Sequence, residues 1–91
     1  MATLMIGYDL NKTGKDYSGL IQQIKETFDT WWHHLDSTWL VVTDLTPVQV
    51  RDLLASHIDS DDEILVAVVS APAAWRGFNE SGSSWLKDNL H

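Results

Sequence analysis

The sequence predicts an α+β domain built on a four-stranded antiparallel sheet, and three observations carry that reading. Apolar residues alternate with period two at Leu4, Ile6, Tyr8 and Leu10, as a half-buried strand requires. Two short runs rich in aromatic and β-branched side chains, Trp31–Leu35 and Thr38–Thr43, meet at Asp36-Ser37 and read as a hairpin. The stretches that follow the first run and the hairpin change to helical spacing, each with one apolar stripe.

Taken in order, the first strand runs from about Thr3 to Leu10, and the polar loop Asn11-Lys12-Thr13-Gly14-Lys15-Asp16 follows it. Helix one then buries Tyr17, Leu20, Ile21, Ile24 and Phe28, with Gln22, Gln23, Lys25 and Glu26 outside. A two-residue hairpin turn opposes Leu35 with Thr38, His34 with Trp39 and Trp32 with Val41. Trp31 and Trp32 are neighbours on a strand, so one packs beneath the helices and the other turns to the opposite side. Helix two starts at Thr46, an N-cap followed by Pro47 and by Gln49 at the capping-box position,. Val50, Leu53, Leu54, His57 and Ile58 form its stripe. After Asp59-Ser60-Asp61-Asp62 comes a fourth strand, Ile64 to Ser70, apolar on both faces and ended by Pro72. A tail with Trp75, Gly77 and Phe78 leads to a short last helix around Ser84 to Leu90.

This strand-helix-strand-strand-helix-strand order is that of a ferredoxin-like sheet with helices on one face and an extra C-terminal helix. One domain spans residues 1–91, with a core of about 3–70 and a Trp-containing tail from 71 to 91. Ile64, Val66 and Val68 face the helices, so Leu65, Ala67 and Val69 need a second cover. A sheet-to-sheet homodimer, helped by the tail, is the expected cover.

Ninety-one residues suit a single small core. A chain of that size buries only roughly 60–65% of its unfolded surface and benefits from association. The apolar fraction of 44% is that of a globular protein,. With no cysteine, disulfides and thiolate metal sites are excluded and a cytoplasmic setting is expected. No apolar run is long enough for a membrane span, and the first residues lack a secretion-signal pattern. Six Lys/Arg against thirteen Asp/Glu give a net charge of −7, which disfavours tight non-specific nucleic-acid binding.

Asp9 is the leading candidate for chemistry, because a lone acid at the exit of an apolar strand must be solvated, paired or used. It is either a metal ligand or a cap for the loop that follows. His33, His34 and Asp36 are metal-capable, but adjacent strand residues point apart and no third ligand joins them. A histidine beside Trp39 suits an interface or a ligand pocket. The stretch from Gly7 to Lys15 has the order of a phosphate loop, yet its glycines stand too far apart and Asp16 replaces the Ser/Thr. Lys12 and Lys15 at the start of helix one still suit an anion. Asp59, Asp61, Asp62 and Glu63 lack calcium-loop spacing and read as a solvated loop. Five tryptophans supply core packing or an aromatic pocket for a planar ligand. Arg76, beside Trp75 and near Phe78, is a cation for a ring or a phosphate.

Gly7-Tyr8-Asp9-Leu10 before a helix, then Leu35-Asp36-Ser37-Thr38-Trp39 and a Thr-Pro-capped helix, resembles the small CRISPR-associated endonuclease subunit (Cas two) and the related VapD toxins. The likeness spans about Thr3 to Ser70, and short bacterial proteins that carry a SinR-like label look most similar. Asp9, Ser37 and Trp39 fall on the family's motif positions, while Thr38 departs from its apolar preference. The resemblance implies a homodimer in which Asp9 of each protomer faces its twin and binds Mg²⁺ or Mn²⁺ to activate water for phosphodiester cleavage. This chain has only Lys12 and Lys15 where many relatives carry arginines after the Asp. Three functions follow. The favoured one is a dimeric, non-catalytic module binding a protein or a small nucleotide through Trp32, His34, Trp39, Arg76 and the two lysines, in defence against mobile elements or counter-defence. The alternative is a metal-dependent endonuclease or nucleotide phosphodiesterase using Asp9, with Mg²⁺ or Mn²⁺ its only expected cofactor. The third is an acidic nucleic-acid mimic.

Overall fold

A computed structural model describes residues 1–10 and 17–91 of the chain. Its elements are β1 (Ala2–Asp9), α1 (Ser18–Thr27), β2 (Trp31–Leu35), β3 (Thr38–Thr43), α2 (Pro47–Ala55), β4 (Glu63–Val68) and α3 (Glu80–Asn89). The strands form one antiparallel sheet in the order β2-β3-β1-β4. Among the described residues the fold is therefore α+β, with a four-stranded antiparallel sheet and three helices.

One face of the sheet carries the main core. Leu4 and Ile6 of β1 and Trp39 and Val41 of β3 pack against Leu20, Ile24 and Phe28 from the α1 region and Val50 and Leu54 of α2. The α2 start is as its sequence predicts. The Thr46 side chain accepts from Gln49 N, the Gln49 side chain accepts from Thr46 N, and Pro47 opens the helix. At α1 the N-cap residue, Tyr17, makes no side-chain cap hydrogen bond. The Tyr17 hydroxyl, just ahead of the helix, instead lies 2.9 Å from both carboxylate oxygens of Asp62. That contact ties the start of α1 to the α2–β4 loop.

The opposite face is where expectation and structure part. The last helix supplies cover on this side that the sequence assigns mainly to a second copy. Leu86 of α3 packs on Trp32 and Leu40 in a second apolar cluster, joined by Met5, Val69, Trp75, Phe78, Trp85 and Leu90. The helix also starts earlier than Ser84, at Glu80, because the Asn79 side chain accepts from Gly82 N at 2.8 Å. The cap and the sheet contact together outweigh the weak helix propensity of the Ser-Gly-Ser-Ser run. Cover by the tail is incomplete. Leu65, on this same face, is 59% exposed, and a side chain at Gly7 would meet nothing within 4 Å.

The hairpin register needs a second correction. The turn at Asp36-Ser37 does pair Leu35 with Thr38, but Trp32 then opposes Leu40 and Trp31 opposes Val41. A bulge between Trp32 and Leu35 sets both His33 and His34 against Trp39. One extra residue reverses the face of everything beyond it. Trp31 thus lies on the main-core side, edge-on to Trp39 at 5.3 Å, while Trp32 turns to the second face.

Two substitutions weigh these features. Thr46→Ala should lower stability by about 1 kcal/mol through loss of the cap. Leu86→Ala should lower it by roughly 2–5 kcal/mol through the cavity it leaves. Urea unfolding followed by tryptophan fluorescence measures both, and equal costs would mean that α3 is not part of the cooperative core.

Candidate functional site

Between the second face and the tail lies a cleft of about 280 Å³. Met5, Trp32 and Leu40 form its floor, Trp75 and Phe78 of the tail lie opposite, and Leu86 of α3 contributes to the lining. Among its lining residues Arg76 is the single ionisable one. Arg76 is exposed and makes no hydrogen bond or ion pair among the described residues. An unpaired guanidinium beside apolar walls offers a planar set of donors to a carboxylate or phosphate.

The aromatic lining is held rigidly. Trp32 is 3% exposed, and its indole N–H donates to Gly82 O at 3.1 Å. Phe78 stands edge-on to Trp32 at 4.9 Å, and the His34 ring lies 5.1 Å from Trp32 and 5.9 Å from Phe78. Gly82 permits this approach, because a Cβ there would stand 3.1 Å from the His34 ring. Trp75 donates to Ser83 Oγ at 3.3 Å and Trp85 to Thr30 Oγ1 at 2.8 Å. Three of the tryptophans therefore pin the tail, α3 and the sheet together, and two of these, Trp32 and Trp75, also wall the cleft.

Trp32, His34 and Arg76, all expected as binding residues, thus converge on one side of the sheet, with His34 behind the cleft wall. Trp39 does not join them. It is fully buried in the main core, donates to the Tyr8 hydroxyl at 3.0 Å and carries the His33 ring stacked 3.8 Å above it. His33 Nδ1 lies 3.0 Å from Thr38 O, so this nitrogen carries the proton in that bond. Lys12 and Lys15, and with them most of the phosphate-loop reading, lie outside the described residues.

Asp9 occupies the uncovered end of the second face. It is exposed and has no hydrogen bond or ion pair among the described residues. Glu63 sits directly across the β1–β4 ladder from it. Both line an open cleft of about 440 Å³ with Gly7, Ser37, Thr38 and Leu65. Sequence reasoning left Glu63 in the acidic loop and missed this pairing. The antiparallel partnering of β1 with β4, with Ile64 opposite Tyr8, was the signal that held it. Two carboxylates give hard oxygen donors suited to Mg²⁺. No group of three or more His, Asp or Glu able to hold a metal ion occurs among the described residues. A divalent ion at Asp9 and Glu63 would need further ligands from water, substrate or a second copy. In the loop just before β4, Asp62 is engaged differently, accepting from the Tyr17 hydroxyl and from Asp59 N at 2.8 Å.

Comparison with protein-family models, with curated proteins and with solved structures found no match to this chain. Among the described residues no helix is long and apolar enough to cross a membrane.

Like charges facing each other across a ladder oppose strand pairing. Asp9→Asn should therefore leave stability unchanged or raise it by up to about 0.5 kcal/mol. A clear loss in thermal unfolding would show that the carboxylate holds its own loop in place.

Proposed function

We propose that this chain is a non-catalytic ligand-binding module, with its site in the cleft beneath the Trp-bearing tail and a small planar anion as its ligand. One observation carries the reading: among the described residues Arg76 is unpaired and is the only ionisable group lining an otherwise almost wholly apolar cleft. A ring of the ligand gains from burial against Trp32, Trp75 and Phe78. Its carboxylate or phosphate gains from charge-assisted hydrogen bonds to the guanidinium, strengthened by the apolar surroundings. Apolar pockets with a few placed polar groups are the usual form of small-molecule sites. A small nucleotide falls within this class. The element order, with β1 between β3 and β4, supports reading the scaffold as ferredoxin-like and akin to the Cas two and VapD group, and fold kinship leaves function to the site.

Calorimetric titration with naphthoate and with its neutral analogue naphthylmethanol tests the proposal. Naphthoate should bind the wild type about tenfold more tightly than the alcohol, the worth of one charge-assisted contact. Arg76→Gln should abolish that preference and leave the weaker binding of the alcohol intact. Equal binding of the two compounds by the wild type, or a preference that survives Arg76→Gln, would reject the reading.

A second reading rests on the exposed Asp9–Glu63 pair. In it the protein is a metal-dependent phosphodiesterase, with these carboxylates holding Mg²⁺ or Mn²⁺ beside the substrate phosphate and Asp9 of a second copy completing the site. Turnover of a nucleotide diester that needs Mg²⁺ and disappears in the folded Asp9→Asn variant would support it. Turnover unchanged in that variant would remove it.

A further inference from the structure

We infer that the free edge of β4 is closed by a second copy of this chain, the two β4 strands pairing antiparallel about a two-fold axis at Val66. The hydrogen-bond phase of the sheet comes first. Val69 N donates to Thr3 O at 2.9 Å. Hydrogen-bonded pairs alternate along an antiparallel ladder. With the register Met5↔Ala67, Gly7↔Leu65 and Asp9↔Glu63, these pairs exchange bonds within the sheet. Ile64, Val66 and Val68 consequently turn their N–H and C=O groups outward. None of those groups finds a partner among the described residues.

An edge of this kind is a template for another strand unless it is blunted by charge, proline or a bulge. β4 has none of these between Ile64 and Val69. It also leaves large apolar side chains in water: Leu65 is 59% exposed, Val68 60% and Val48 of the adjoining α2 55%. The other edge of the sheet, β2, is interrupted by its bulge, so pairing is directed to β4.

The strand is complementary to itself. Antiparallel pairing about Val66 sets Val66 against Val66 of the second copy and Ile64 against its Val68. Each is a reciprocal hydrogen-bonded pair formed from the outward groups. On the second face Leu65 meets Ala67. Glu63, the one charged residue of the strand, falls opposite Val69 and away from its twin, so no like charges face each other. An isologous contact uses the edge completely and closes at a dimer. This arrangement extends the sheet sideways and differs from a face-to-face dimer.

The chain has no cysteine, which permits a register-specific test. Directly opposed residues of a hydrogen-bonded pair have Cα atoms about 5.5 Å apart, within disulfide reach. Sedimentation of the wild type should give a dimer. Val66→Cys should cross-link to that dimer under mild oxidation, and Asp36→Cys, on the hairpin turn at the far side of the sheet, should not. Val68→Lys changes an exposed side chain and should yield a folded monomer by sedimentation and circular dichroism, with naphthoate binding unaltered. A wild-type monomer overturns the proposal. So does a dimer that persists in Val68→Lys, or one in which a folded Val66→Cys protein fails to cross-link. These outcomes are separate from those for the cleft, since neither Val66 nor Val68 lines it.

Discussion

Trp32 holds the architecture together, because it is the point at which the tail and the sheet become one structure. Its ring lies on the sheet face that the first two helices do not reach, yet only 3% of it is exposed. Leu86 covers it, Phe78 meets it edge-on, and Gly82 O accepts its indole proton. A buried indole N–H without an acceptor is costly, so α3 can dock only where a carbonyl reaches that nitrogen. Asn79 starts the helix and thereby delivers Gly82 to the required place. The absence of a Cβ at Gly82 then lets the His34 ring settle against the helix. In a chain this short, a second small core on the far side of the sheet adds buried surface that one core alone does not supply.

The second face is consequently divided into unlike halves. The end beneath α3 and the tail is apolar, lined by aromatic rings and bordered, among the described residues, by a single cation. The far end, beyond Gly7, is open and acidic, with Asp9 and Glu63 facing one another. In a protein of net charge −7, the long-range field repels anions, so an anion-binding role depends on short-range contacts in a sheltered place. The aromatic-lined end, with Arg76 at its border, is where such contacts are available. The open end concentrates negative charge in full contact with solvent, where a cation would be screened and hydrated. The proposed anion site and the acidic cleft are therefore complementary in character and separate in space.

Local rules made much of this fold legible. The alternation at Leu4, Ile6 and Tyr8 located β1, and Thr46-Pro47 with Gln49 located α2, because strand pleat and helix capping are decided within a few residues. The hairpin turn was legible for the same reason, whereas the bulge was not. Whether His33 or His34 takes the place over Trp39 depends on which indole finds the better cover, and that is settled by α3, some fifty residues away. The start of α3 was misjudged on similar grounds, since Ser81, Gly82, Ser83 and Ser84 have poor helix propensity until the sheet contact rewards them. Trp32, His34 and Arg76 were recognisable as binding-type residues. Their convergence, and the exclusion of Trp39 from it, required the register that the bulge creates.

That bulge has two consequences for the β2 side of the sheet. It exchanges the faces of Trp31 and Trp32, which puts one indole against Trp39 and sends the other to the tail. It also breaks the even row of backbone groups along β2, making that edge a poor template for a further strand. β4 is under the opposite constraint. It must run regularly from Glu63 to Val68 to pair with β1 along its whole length, and a regular strand leaves its outer groups evenly spaced. A lysine at Ile64 or Val66 would place charge beside the apolar side chains of the core, and a bulge would displace those two residues from the helices. The features that let β4 complete the core are therefore those that keep its outer edge competent to pair, and this shared origin is the physical basis of the pairing inferred for it,.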